Sequence, residues 1–255
     1  MRLACDDRNM PIPYLRSLTS PERSEQGTRH IARYLAFIAG AANAGGFLAV
    51  HQYTSHMSGV VAAMADNLAL GRIRLLLVGC MSVCAFLAGS ISTTLLILWA
   101  RRRRLQSEYA LPLLCESMLF AAFAVVTTVF HEQKVAATIA LLCFAMGLQN
   151  AMITKLSGSV IRTTHITGMV TDIGITCGRV FMFAFVDRKE ISQEVRTLRL
   201  LSSLVLLFFC GGLGGAVGFQ RFGFMFMAPL AAGLLLLAFV PAVDDLRART
   251  LERRF

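Results

Sequence analysis

Hydrophobic runs decide what this chain can become. Stretches at residues 31–50, 75–100, 111–130, 135–153, 200–219 and 222–240 are apolar, each with one charge at most. A helix needs about 20 such residues to cross a bilayer. The 255-residue chain is 56% hydrophobic and 16% charged, against about 25% charged in a soluble domain. A soluble domain is therefore excluded, and the expectation is an all-α polytopic membrane protein with about six transmembrane helices.

The charge is placed as membrane topology requires. A net charge of +10 raises the question of nucleic acid. However, the cations sit in the ends and turns between apolar runs, with no basic stripe interleaved with aromatics, so no nucleic-acid partner is expected. With six crossings and a cytoplasmic N-terminus, 21 of the 25 Lys and Arg residues fall on the cytoplasmic side, leaving Arg72, Arg74, Lys134 and Arg221 outside. The positive-inside rule thus predicts a cytoplasmic (inner) membrane protein of bacterial type with both termini in the cytoplasm. Residues 1–30, polar and rich in proline, read as a flexible cytoplasmic tail, and residues 243–255 as a second one. Seven cysteines without a CxxC pair read as packing residues, not as a metal site or disulfide framework.

Two polar hexapeptides interrupt the apolar pattern: TSHMSG from Thr54 and TTHITG from Thr163. Each is preceded by a Gly…Asn pair (Gly40/Asn43, Gly147/Asn150) and followed by an Asp (Asp66, Asp172) and a Gly-Arg (Gly71-Arg72, Gly178-Arg179). The offset is 107 at the Asn pair, 109 at the hexapeptides and 107 at the Gly-Arg pair. Four matches in one order indicate an internal duplication, with residues 31–130 and 134–242 as its two halves. Each half has three crossings, so the second is inverted relative to the first. Secondary transporters often use this architecture, with substrate sites at broken helices near the midplane. Residues 60–71 and 169–178, too short to span, are expected to be re-entrant or broken segments; interfacial loops are the alternative.

At these motifs the chain resembles a known family. GAANAGGFLAVHQYTSHMSGVVAAMAD and GLQNAMITKLSGSVIRTTHITGMVTD are similar to the two signatures of the YoaK-like family of bacterial inner-membrane proteins, domain of unknown function 1275. The resemblance covers about residues 33–241. It implies about six helices and no established activity. The family's first motif usually has Asp where Asn43 stands, and Thr-Gly-Asn where Ser58-Gly59-Val60 stands. The missing carboxylate weakens proton coupling at position 43.

Several polar residues stand at membrane depth. Asn43, Gln149 and Asn150 lie in apolar helices, where an unpaired amide costs a few kcal/mol; they line a central site or bond a neighbouring helix. Thr54, Ser58, Thr163 and Thr167 offer hydroxyls, and Gly59 and Gly168 permit a bent backbone; all six are candidate solute-binding positions. His56 and His165 titrate near neutral pH, and serve either a solute site or backbone carbonyls near a broken helix. Asp66, Glu116 and Asp172 are candidate proton-coupling groups, because carboxylates are expensive in a bilayer. Glu116 lies close enough to its helix end to snorkel to the interface. Arg162 reads as a cytoplasmic anchor. Two overlapping GxxxG spacings, Gly211/Gly215 and Gly214/Gly218, mark tight packing and a candidate homodimer seam. Pro229 predicts a kink in the last helix.

These features point first to a secondary transporter or permease for a small solute. A non-transporting membrane scaffold or sensor is the second reading. An embedded lipid-acting enzyme is the third, weakened by the absence of GxSxG and HExxH. No catalytic residue, metal or cofactor is expected, and no nucleotide-binding loop is present.

Overall fold

The computed structural model describes residues 25–50, 53–103, 105, 108–129, 135–157, 164–183 and 188–252. The remainder of the expected N-terminal tail, residues 1–24, and Thr163 lie outside the described residues. Among the described residues there are helices and no strand. They are α1 (Glu25–Val50), α2 (Met57–Ala69), α3 (Ile73–Arg102), α4 (Ala110–Val129), α5 (Val135–Leu156), α6 (Ile166–Phe183), α7 (Arg188–Phe222) and α8 (Met227–Glu252), with a 3-10 turn at Gly223–Phe226.

Five helical stretches of the described residues are long and apolar enough to cross a bilayer: Glu25–Leu48, Ile73–Arg102, Ala136–Leu156, Ile166–Phe183 and the composite Ile191–Phe239. Ala110–Val125 is a shorter apolar helix. The outward faces carry large apolar side chains, among them Leu87, Ile91 and Leu95 on α3 and Leu206, Phe209 and Leu213 on α7, all more than half exposed. Soluble monomers rarely show contiguous apolar patches beyond a few hundred Å², so these faces meet lipid. The chain is a multi-pass membrane protein.

α1 and α5 form the centre. Small side chains on α1 (Ala32, Ala36, Ala39, Ala42) and Leu148, Met152 and Ile153 on α5 are fully buried. Each central helix is crossed closely by one long outer helix, α1 by α7 and α5 by α3. The crossings use the same element. A Cβ at Gly40 would overlap the Phe208 carbonyl, and one at Gly211 the Phe37 carbonyl. Likewise Gly147 faces the Phe86 carbonyl and Gly89 the Phe144 carbonyl. All four helices present Phe-x-x-Gly, so each glycine lets the partner backbone in where any side chain would block it. At α3–α5 the approach is also bridged by hydroxyls: Ser90 donates to the Gly147 carbonyl (3.1 Å) and Thr93 to the Leu148 carbonyl (2.9 Å).

Three expectations change here. Gly211 and Gly215 seat the backbone of α1, and Gly218 seats the Phe226 ring. Gly211, Gly215 and Gly218 of the GxxxG seam are therefore taken up by packing within the chain, whereas Gly214 stays exposed. Pro229 lies in the first turn of α8, where its missing N–H costs little, because the chain turns earlier, at Gly223 with φ of 58°. Finally, the two Gly-Arg pairs behave differently. Gly71, with φ of 67°, ends α2 after 13 residues, about 20 Å and too short to span. Gly178 stays helical, and the apolar Val-Phe-Met-Phe after Arg179 carries α6 to 18 residues, long enough to cross. The segment after the second hexapeptide is thus not too short to span.

Replacing Gly40 or Gly147 by Ala should push the helices apart and cost about 1–3 kcal/mol or more. Thermal unfolding in detergent should show a clear fall in Tm for both, whereas Gly59→Ala, where a Cβ meets nothing, should leave it unchanged. Equal Tm values for all three would contradict the close-crossing account.

Candidate functional site

Each hexapeptide is tied to the central helix that precedes it. Ser55 donates its hydroxyl to the Asn43 side-chain carbonyl (3.1 Å). Thr164 donates to the Asn150 side-chain carbonyl in the same way. Asn43, Ser55, Asn150 and Thr164 are all buried. The Asn150 amide completes its bonding on the Met146 carbonyl one turn back (2.8 Å). These clasps answer why a polar Asn sits in an apolar helix: it accepts the hydroxyl that folds the following turn against it. Ser55 and Thr164 belong to the hexapeptides but were not among the candidate site residues. The signal was the repeated hydroxyl at the second position of each.

Just past each clasp the chain enters a short helix. The carbonyls of His56 and His165 take the first bonds of α2 and α6, from Val60 (3.1 Å) and Met169 (3.0 Å). Both histidines therefore stand at helix starts. The His56 ring lies 5.2 Å from Tyr53, which stacks on Phe47 at 4.8 Å. His56, in the turn outside the five candidate spans, is held below its ordinary pKa, first by burial and then by the charge of His165. The two hexapeptide imidazoles are thus within electrostatic reach of each other.

The other candidates divide by burial. Thr54 is buried and its hydroxyl oxygen has no hydrogen-bond partner. Ser58, Gly59, His165, Thr167 and Gly168 are exposed, unlike the buried amides. Asp66 and Asp172 are also exposed. Counted from the two histidines they are not equivalents: Asp66 is ten residues on, Asp172 seven, and the counterpart of Asp172 is Ala63.

The strongest anomaly lies inside the bundle. Glu116 on α4 has no exposure at all, and neither carboxyl oxygen has a hydrogen-bond partner. It does not snorkel, because helix packing of α4 against α8 and α5 seals it. Gln149 is equally buried, reaching the Leu35 carbonyl with its amide (3.4 Å) while its own oxygen stays unpartnered. A carboxyl group sealed in an apolar interior without a hydrogen-bond partner is costly. No group of three or more His, Cys, Asp or Glu able to hold a metal occurs among the described residues.

Ser55→Ala and Thr164→Ala should each leave a buried carbonyl without its donor and destabilise the fold by about 1–3 kcal/mol. Thr164→Ser, which keeps the hydroxyl, should retain most of the stability. Chemical denaturation in mixed micelles measures the difference, and an alanine variant as stable as the serine variant would remove the clasp from the account.

No curated protein and no solved structure is significantly similar to the chain. Residues 31–240, which hold both clasps, both glycine crossings and Glu116, match the family described as proteins of unknown function, DUF1275. The chain belongs to that family.

Proposed function

We propose that this protein is a secondary transporter or permease for a small solute, without enzymatic activity, in which Glu116 exchanges the coupling proton. The observation that carries this reading is the sealed, unpartnered Glu116 carboxyl within a membrane-spanning bundle. A purely structural role gives no reason to keep an acid there, since an ionisable residue inside a membrane is expensive and marks a proton or substrate path. Gln149, with an open acceptor in the same interior, supplies a polar neighbour for a passing solute.

The architecture that fits is two inverted three-helix halves in the cytoplasmic (inner) membrane, with six crossings and both termini in the cytoplasm; it requires α6, although long enough to cross, to stay on one side as the shorter α2 does. The matched Phe-x-x-Gly crossings and matched Asn–hydroxyl clasps support a common origin for the halves. Three crossings per half reverse the orientation of the second, and the segregation of Lys and Arg supports the assignment of sides. Two equivalent halves that meet at α1 and α5 are suited to rocking about a fixed centre.

Topology is tested by single cysteines at Ser58 and Thr167 in a cysteine-free background, both exposed and clear of the clasps. An impermeant thiol reagent on intact cells should label Ser58→Cys, and Thr167→Cys only after the membrane is opened. Labelling of both from one side would refute the inverted arrangement.

Coupling is tested in proteoliposomes loaded with a pH-sensitive dye and challenged with fractionated bacterial small-molecule extract. Wild type should show solute-dependent proton movement at least about tenfold above that of Glu116→Gln, which keeps the side-chain shape but cannot release a proton. Proton movement at the wild-type rate in the Gln variant would sink the role of Glu116.

A further inference from the structure

A cavity of about 620 Å³ opens between the first turn of α1, the end of α5, α6 and the first turns of α7. Its size is that of a small-molecule site. Its charges are mostly cancelled in place: Arg29 pairs with Glu25 (3.3 Å) and Arg179 with Glu194 (3.5 Å). Asp172 also lines it, and among the described residues its carboxylate has no ion-pair or hydrogen-bond partner. Arg196, without an acidic partner among the described residues, lines the neighbouring groove of about 510 Å³ instead. Among the described lining residues, three acids (Glu25, Asp172, Glu194) stand against two bases (Arg29, Arg179), which leaves one negative charge in excess. Beside it lie the Thr197 hydroxyl and an apolar side formed by Ile175, Leu200 and Leu201.

The other half offers an internal comparison. The cavity beside α2, about 370 Å³, is lined by Phe47, Tyr53 and His56, and at the counterpart of Asp172 by Ala63. Only the cavity beside α6 has the carboxylate, so its chemistry is a feature of that site and not of the shared helix arrangement.

We propose that the cavity beside α6 binds a small organic cation, an ammonium with a short apolar stem, with Asp172 as counter-ion. The ammonium places its charge against the carboxylate while its stem lies on the Ile175–Leu201 side. The proposal rests on the transport reading only in making this cation the cargo; binding itself is independent of transport.

The first test is equilibrium dialysis of radiolabelled n-butylamine, charged at neutral pH, against the full chain purified in detergent. One saturable site per chain is expected, weakened about tenfold in Asp172→Asn, with neither butyrate nor 1-butanol competing. Absence of saturable binding, equal binding to Asp172→Asn, or competition by butyrate would each overturn the proposal. A second test does not depend on affinity. Thr197→Cys in a cysteine-free background should react faster with a trimethylammonium methanethiosulfonate than with the sulfonate reagent of similar size, and Asp172→Asn should erase that lead. An undiminished lead in the Asn variant counts against Asp172. Flux separates the two readings: butylamine that binds but never accumulates in proteoliposomes defeats transport and leaves the site standing.

Discussion

The fold depends on two places where helix backbones touch. At α1–α7 and at α5–α3, glycine faces a carbonyl oxygen with no room for a side chain. In lipid there is little hydrophobic gain from bringing two helices together, so association rests on close van der Waals contact and interhelical hydrogen bonds. Both are present here, the second as hydroxyls of α3 donating to α5 carbonyls. Once these joints fix the outer helices on α1 and α5, the central pair is shielded and its polar groups must be satisfied within the protein.

The two clasps follow from that shielding. Asn43 and Asn150 sit in the C-terminal parts of the central helices, which run on to Val50 and Leu156 before the chain turns back. A hydroxyl twelve or fourteen residues further on returns to each amide, converting an unfavourable buried group into the anchor of the turn. The short helices that begin there lie against the outer helices α3 and α7. They leave Ser58, Gly59, Thr167 and Gly168 exposed. Each hexapeptide therefore combines a buried hydroxyl that anchors the turn with exposed residues after it.

Glu116 belongs to neither clasp. It is held in the interior by the packing of α4, in a fold whose other buried amides and hydroxyls are largely paired. This contrast is what makes it the functional centre of the proposed transporter. Asp172, by comparison, keeps access to a cavity at one end of the bundle. An acid that is sealed and an acid that is open divide the proposed labour between proton and cargo.

Much of this was legible in the residues alone. Apolar length points to membrane insertion because a helix needs about 20 apolar residues to cross a bilayer, and the two Asn-plus-hexapeptide motifs stand out without any coordinates. The Phe-x-x-Gly element was also there four times, but spacing along one helix does not say which helix lies across it. For that reason the GxxxG pattern of α7 reads as a surface seam, whereas its Gly211 and Gly215 pack against α1 of the same chain. Pro229 read as a kink because the turn at Gly223 was not visible. The Asp66–Asp172 match dissolved once helix starts were aligned on the histidines. Burial was likewise beyond the sequence. Glu116 and Asp66 are both carboxylates in apolar surroundings, and only the tertiary packing seals one and exposes the other, because the environment of a charge is set by neighbours distant in the chain.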